Sequence, residues 1–372
     1  MTTVNLLFIL SLGAILTAFM AFGFKNFPKE RWQIFATVPL VKDKIGGWKG
    51  LNLTYYGILS ANAYAFALTI LIILLGAYHI PISIQMRYII PILMVSVPAA
   101  RVVAWIVEKK SSTFTVGGAS FTAIMVLPWV VIGINGFSDI KMPIFCFFAA
   151  ISIAYTYGEA LGRLACISFG CCYGKPLSET TPLIKRLFGK FNFVFKGETK
   201  KAAYASNLDG EPTIPIQAIT SIIYTVAALI GTALFLSGYF KSAMLLTIVV
   251  TQLWRVVSEF FRADYRGDSG FSAYQVMALV AVLYMVAISI FMPDVVSYNI
   301  TNAVPQNMPD ALMYNQLAAY YIFPDIIYGI KQFWNPTTII CMEIFWLAAF
   351  LYTGRSFVTG SSIFFHVVRD KI

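Results

Sequence analysis

Runs of about 20 apolar residues recur about nine times along this chain, and no other feature of the sequence restricts its fold as severely. They lie at 5–23, 52–76, 84–107, 114–135, 141–162, 215–238, 241–262, 272–292 and 337–353. A helix of that length spans the hydrocarbon core of a bilayer, about 30 Å thick. Backbone polar groups in lipid must be satisfied inside a helix or a closed barrel. The runs do not alternate with period two, so the expected fold class is an all-α polytopic membrane protein. Composition agrees, because 59% of the 372 residues are hydrophobic and 12% charged, roughly half the charge of an ordinary soluble domain. A soluble enzyme, a disordered chain, a fibrous protein and a disulfide-stapled secreted module are excluded.

The segments between the runs divide the chain in three. Residues 1–50 supply an N-terminal helix, whose start lacks the Lys or Arg of a signal peptide, and a basic amphipathic loop. Residues 51–292 form a membrane core with a small extramembrane head, 175–213, between the fifth and sixth helices. The head carries seven Lys and Arg and a strand-like FNFVFKG at 191–197. Residues 293–372 comprise an acidic loop with PQNMPD and FPDIIYG turn signals, one more helix and a basic tail. The net charge of +10 sits between apolar segments, which points to anionic headgroups and membrane topology and not to nucleic acid.

Ionisable side chains within apolar spans are costly and mark function first. Glu159 and Arg163 stand four apart on one helical face in GEALGRLACISFGCCYGKP. Arg255, Glu259 and Arg262 form an i, i+4, i+7 stripe in WRVVSEFFRADYRGD, and Arg101 lies in VPAARVVAWIVEKK. An isolated Arg–Glu pair only pins two helices, but three intramembrane arginines suit an anionic phospholipid headgroup, since guanidinium presents paired donors to phosphate. Gly117, Gly118, Gly170 and Gly174 permit close backbone approach to such a ligand. Cys166, Cys171 and Cys172 invite a metal or redox reading, but no His lies near them. Neighbouring cysteines do not readily aim at one ion, and a fourth ligand is not apparent. They read as small packing residues lining the site, and no metal or cofactor is expected. His79 and His366 read as a helix-end and a tail residue.

GRLACISFGCCYGKP resembles the signature of the prolipoprotein diacylglyceryl transferase family, and its Gly170-Cys171-Cys172-Tyr173-Gly174 ending that of a divergent branch. Further motifs follow in the family's order. They are Tyr55-Tyr56-Gly57-Ile58-Leu59, Ala100-Arg101, Gly117-Gly118-Ala119-Ser120-Phe121, Pro215-Ile216-Gln217, Arg255 to Arg262, Asp264-Tyr265-Arg266-Gly267 and Gln275, covering about 52–292. The resemblance implies transfer of a diacylglyceryl group from phosphatidylglycerol to a lipoprotein cysteine in the bacterial inner membrane. Arg163, Arg255 and Tyr56 are then the catalytic candidates. Arg101, Gly117, Gly118, Glu159, Gly170, Gly174, Gln217, Glu259 and Arg262 are the phospholipid-binding ones. Three positions depart from the family: Thr122 replaces its His, Cys166 its Asn, and Ile214 the His before Pro-Ser-Gln.

The alternative function is a catalytically silent homologue serving as a lipid-binding or structural subunit of a membrane complex. The implied partners are accordingly an anionic, phosphatidylglycerol-like phospholipid with either prolipoprotein signal peptides or other membrane subunits. A transporter is disfavoured, because no inverted repeat is visible. Orientation draws two opposed expectations. Lys and Arg counted over alternate loops put the 175–213 head in the cytoplasm, whereas the resemblance puts it outside, where exported lipoproteins are modified. Motif order arises by chance less readily than loop charge, which favours the outward site.

Overall fold

A computed structural model describes residues 1–42, 48–108, 115–138, 141–264, 271–292, 324–356 and 364–365. Among these, nine helices are long and apolar enough to cross a membrane, each overlapping one of the nine runs. They are α1 (Thr3–Asn26), α2 (Tyr55–Ala77), α3 (Ile82–Glu108), α4 (Val116–Phe137), α5 (Ile144–Phe169), α8 (Ile216–Phe235), α9 (Phe240–Glu259), α10 (Ala273–Phe291) and α12 (Pro336–Thr353). The protein is an all-α polytopic membrane protein. Most of the acidic 293–335 loop, the PQNMPD turn, Tyr265-Arg266-Gly267 and His366 lie outside the described residues.

The core sits around α5. Its residues are buried along almost their whole length, and α2, α8 and α9 pack against it. Ser152, Thr156 and Tyr157 are held inside by hydrogen bonds within α5 and to its neighbours, such as Tyr157 Oη with Thr232 Oγ1 of α8 at 3.1 Å, so the buried hydroxyls do not go unmatched. Four of the long helices, α1, α2, α10 and α12, start where a side chain takes up a free amide. Thr54 Oγ1 accepts from the Gly57 amide, and Ser272 forms a capping box with Gln275 ahead of α10. α5 runs past the sequence boundary of 162 to Phe169, because Arg163 neutralises Glu159 on the same face and leaves the helix no unpaired charge to expel.

The basic 24–50 loop departs from expectation. It contains β1 (Ile34–Lys42), paired antiparallel with β2 (Trp48–Thr54), to which β5 (Arg355–Ser356) and β6 (Phe364–Phe365) add. Thr37 Oγ1 donates to Asn52 Oδ1 across the pair at 2.9 Å. The head holds two short helices, α6 (Pro182–Phe188) and α7 (Lys201–Ser206). The expected strand at 191–197 is present as β3 (Phe193–Val194), which pairs with β4 (Pro212–Thr213). A further helix, α11 (Ile326–Phe333), is capped by Asp325 and packs on α2.

Candidate anion site at the head end of the bundle

The end of α5, the end of α9 and the start of α4 meet at the end of the bundle that carries the head. Glu159 is their centre. Arg163, one turn further along α5, donates from Nη2 to Glu159 Oε2 at 2.6 Å, and Arg255 Nη2 reaches the same oxygen from α9 at 3.4 Å. Arg255 Nη2 also donates to Tyr155 Oη at 3.0 Å. The side chains are 17%, 13% and 6% exposed for Arg163, Arg255 and Glu159 respectively. Two cations therefore share one carboxylate, which leaves the group with an excess positive charge inside a low-dielectric bundle. Arg163 Nε and Arg255 Nε are buried and find no acceptor among the described residues. Buried donors of this kind call for an acceptor that the protein does not supply.

The other expected site residues distribute around this centre. A Cβ on Gly117 would stand 2.8 Å from Arg255 Nη1, so glycine there gives the guanidinium its room. Gly118 packs instead against Val103 of α3. Glu259 is joined to the Ser272 hydroxyl, and so ties α9 to the cap of α10. Arg262 makes a two-pronged pair with Asp264, both bonds 2.7 Å. Arg101 stands apart, exposed on α3, with its guanidinium 5.1 Å from the Tyr352 ring centroid of α12. Thr122 lies half-buried on α4.

The Gly-Cys-Cys-Tyr-Gly turn is built from its glycines outward. Gly170 ends α5 in the left-handed region, φ 70°, where its amide and that of Cys171 return to the Cys166 and Ile167 carbonyls. Gly174 lies so close to the Ile214 carbonyl that a Cβ would fall 2.3 Å from its oxygen. That approach lets Gly174 bridge Arg262, while Lys175 N–H donates to Phe261 O and Ala263 N–H to Tyr173 O. The two charged motifs, 90 residues apart, are thereby stitched edge to edge. Gln217 Nε2 donates to the Cys171 carbonyl at 2.9 Å, and its buried Oε1 accepts no hydrogen bond among the described residues. From the head, Lys200 reaches under Gly170 and donates to the Phe27 and Ser168 carbonyls at 3.0 and 2.5 Å. Burial pushes its pKa down to about 7, against an opposing pull from Glu30.

The cysteines correct one step of the sequence reasoning. Cys172 adopts φ 55°, which turns the chain back on itself, and the sulfurs of Cys166, Cys171 and Cys172 lie within 4.8 Å of one another. Adjacent cysteines do converge here, because one of them leaves the ordinary backbone regions. Tyr56 lines the same place, ring to ring with Phe169 at 5.5 Å and within electrostatic range of all three sulfurs.

Tyr155 is not among the residues that the sequence motifs bring forward, and Asp264 enters them only as the start of Asp264-Tyr265-Arg266-Gly267, with no pairing to Arg262. Tyr155 belongs to a 155, 159, 163 stripe of period four, a signal that the charged pair alone obscured. A family model for prolipoprotein diacylglyceryl transferases matches residues 47–291, well over half of the chain. No curated protein matches it.

Proposed function

The chain belongs to the prolipoprotein diacylglyceryl transferase family, and on that premise we propose that the Arg163–Glu159–Arg255 group receives the anionic headgroup of a phosphatidylglycerol-like donor. The diacylglyceryl group then passes to the thiol of an exported lipoprotein. The observation that carries this reading is the shared carboxylate oxygen, with its excess positive charge and two unmatched Nε donors. A phosphodiester supplies both the missing negative charge and the missing acceptors.

The same charge serves the reaction. Attack of a thiolate on the terminal glyceryl carbon forms a C–S bond and breaks the C–O bond to phosphate, and the electron pair leaves on the phosphate oxygen. Fixed guanidiniums stabilise that developing charge without reorganising. Arg163, Arg255 and Tyr56 remain the catalytic candidates. Glu159, Glu259, Arg262, Gln217, Gly117, Gly118, Gly170 and Gly174 shape the donor site, and Arg101 contacts lipid from the bundle surface. The site opens outward from the bacterial inner membrane.

The donor half is tested by mass spectrometry of lipid retained by the detergent-purified protein. Wild type is expected to retain an anionic glycerophospholipid, and Arg255→Ala to lose it while keeping its helical circular dichroism. Equal retention by both contradicts the site. A second reading, the catalytically silent lipid binder, is favoured by Thr122 in place of the family's His, and turnover separates the two.

A further inference from the structure

Three thiols meeting at one point is an arrangement that ordinary packing does not require. Three sulfurs that bind one zinc ion stand about 3.8 Å apart, given a Zn–S distance of about 2.3 Å. The Cys166, Cys171 and Cys172 sulfurs already lie within 4.8 Å of one another, so a side-chain adjustment of about an ångström closes the set. Two of the three come from a turn fixed by Gly170 and Gly174 and one from the last turn of α5, so the spacing is set by backbone. All three are half-buried, which leaves the fourth side of a tetrahedron reachable. Arg163 and Arg262 both lie within electrostatic range of Cys172, and they offset the negative charge that three thiolates around a divalent ion would carry.

We propose that Cys166, Cys171 and Cys172 hold a zinc ion whose open fourth position takes the acceptor's sulfur as a thiolate. The proposal rests on the transferase reading above and deepens it. Three protein ligands with one open position are the pattern of a catalytic zinc site, not a closed structural one, and a thiol bound to zinc is deprotonated outright. Thiol alkylation needs that deprotonation, and Thr122 offers no imidazole to accept the proton. The acceptor's proton leaves to water as its sulfur binds. That sulfur then forms its bond to the glyceryl carbon as the C–O bond to phosphate breaks, and the leaving phosphate departs against Arg163 and Arg255. The thiol site and the anion site adjoin through α5, as the two halves of such a reaction require.

The test uses the full-length protein purified in detergent without added chelator. Elemental analysis is expected to give about one zinc per chain, the ratio that a single three-thiolate site requires. Zinc content should fall to background in Cys166→Ser and Cys171→Ser, with helical circular dichroism unchanged. The cobalt-exchanged wild type should show thiolate-to-cobalt absorption that shifts when a cysteine peptide is added and does not shift with the serine analogue. Background zinc in wild type, a disulfide between two of the three cysteines, or a cobalt spectrum indifferent to the peptide each overturn the proposal. Lipid transfer by fully metal-depleted protein would overturn it too while leaving the transferase reading intact. A peptide-responsive metal with no lipid transfer would leave this site standing and remove the transferase reading.

Discussion

Glu159 shows how much a single buried residue decides. Its single negative charge is shared between an arginine of its own helix and another from α9, so the site is preloaded with positive charge and not self-satisfied. The i, i+4 spacing of Glu159 and Arg163 was legible, because helical geometry alone makes the pair. The reach of Arg255 from α9 to the same oxygen is a tertiary fact, which spacing within one helix does not give. The backbone angle of Cys172 was not legible, since cysteine has no preference for positive φ and only the surrounding turn imposes it. Lys200 makes a testable residue-scale case. Its pKa is about 7 in the folded protein and 10.5 when free, so the unfolded chain binds more protons between those values. Stability should therefore be greatest above 10.5, decline as pH falls toward 7, and flatten below. Unfolding midpoints in detergent between pH 7 and 9 should rise with pH in wild type, and Lys200→Met should abolish that component. An unchanged slope in the variant would show that Lys200 is not the group responsible.

The elements divide into those that composition specifies and those that partners specify. All nine membrane helices were legible because each is a long apolar run with no competing structure available in lipid. The β1–β2 arm was not, because its second and third partners, β5 and β6, lie some 300 residues further along the chain, and strand propensity depends on such neighbours. The site lies where elements touch, at the junction of the α5 turn with the end of α9. Gly174 is the hinge of that junction, its Cα side pressed against the Ile214 carbonyl. Gly174→Val should force the turn away from α8, break the bridge to Arg262 and cost about 1–3 kcal/mol of stability. A lowered unfolding midpoint together with weaker retention of anionic lipid is expected, and a variant equal to wild type in both would show that the close approach is dispensable.

At the scale of the molecule, the anion site, the cysteine turn, the head and the β arm all gather at one end of the bundle, so the side of the membrane that this end faces decides what can reach it. Loop charge and family resemblance oppose each other here, and the proposed outward site makes a direct prediction. Ala205 is exposed in the head, and Ala205→Cys should react with an impermeant maleimide in intact cells, above the wild-type background. Labelling only after lysis would place the head inside and deny exported lipoproteins access to the site. The central claim, that this site moves a diacylglyceryl group from an anionic lipid to a thiol, is tested most directly by turnover with phosphatidylglycerol labelled in its headgroup glycerol. With purified wild type and a cysteine peptide, labelled glycerol phosphate should appear in step with a diacylglyceryl thioether on the peptide, and Arg255→Ala should yield neither. Retained phosphatidylglycerol with no labelled glycerol phosphate and no thioether, in a well-folded zinc-supplemented protein, would contradict the account and leave a silent lipid-binding subunit.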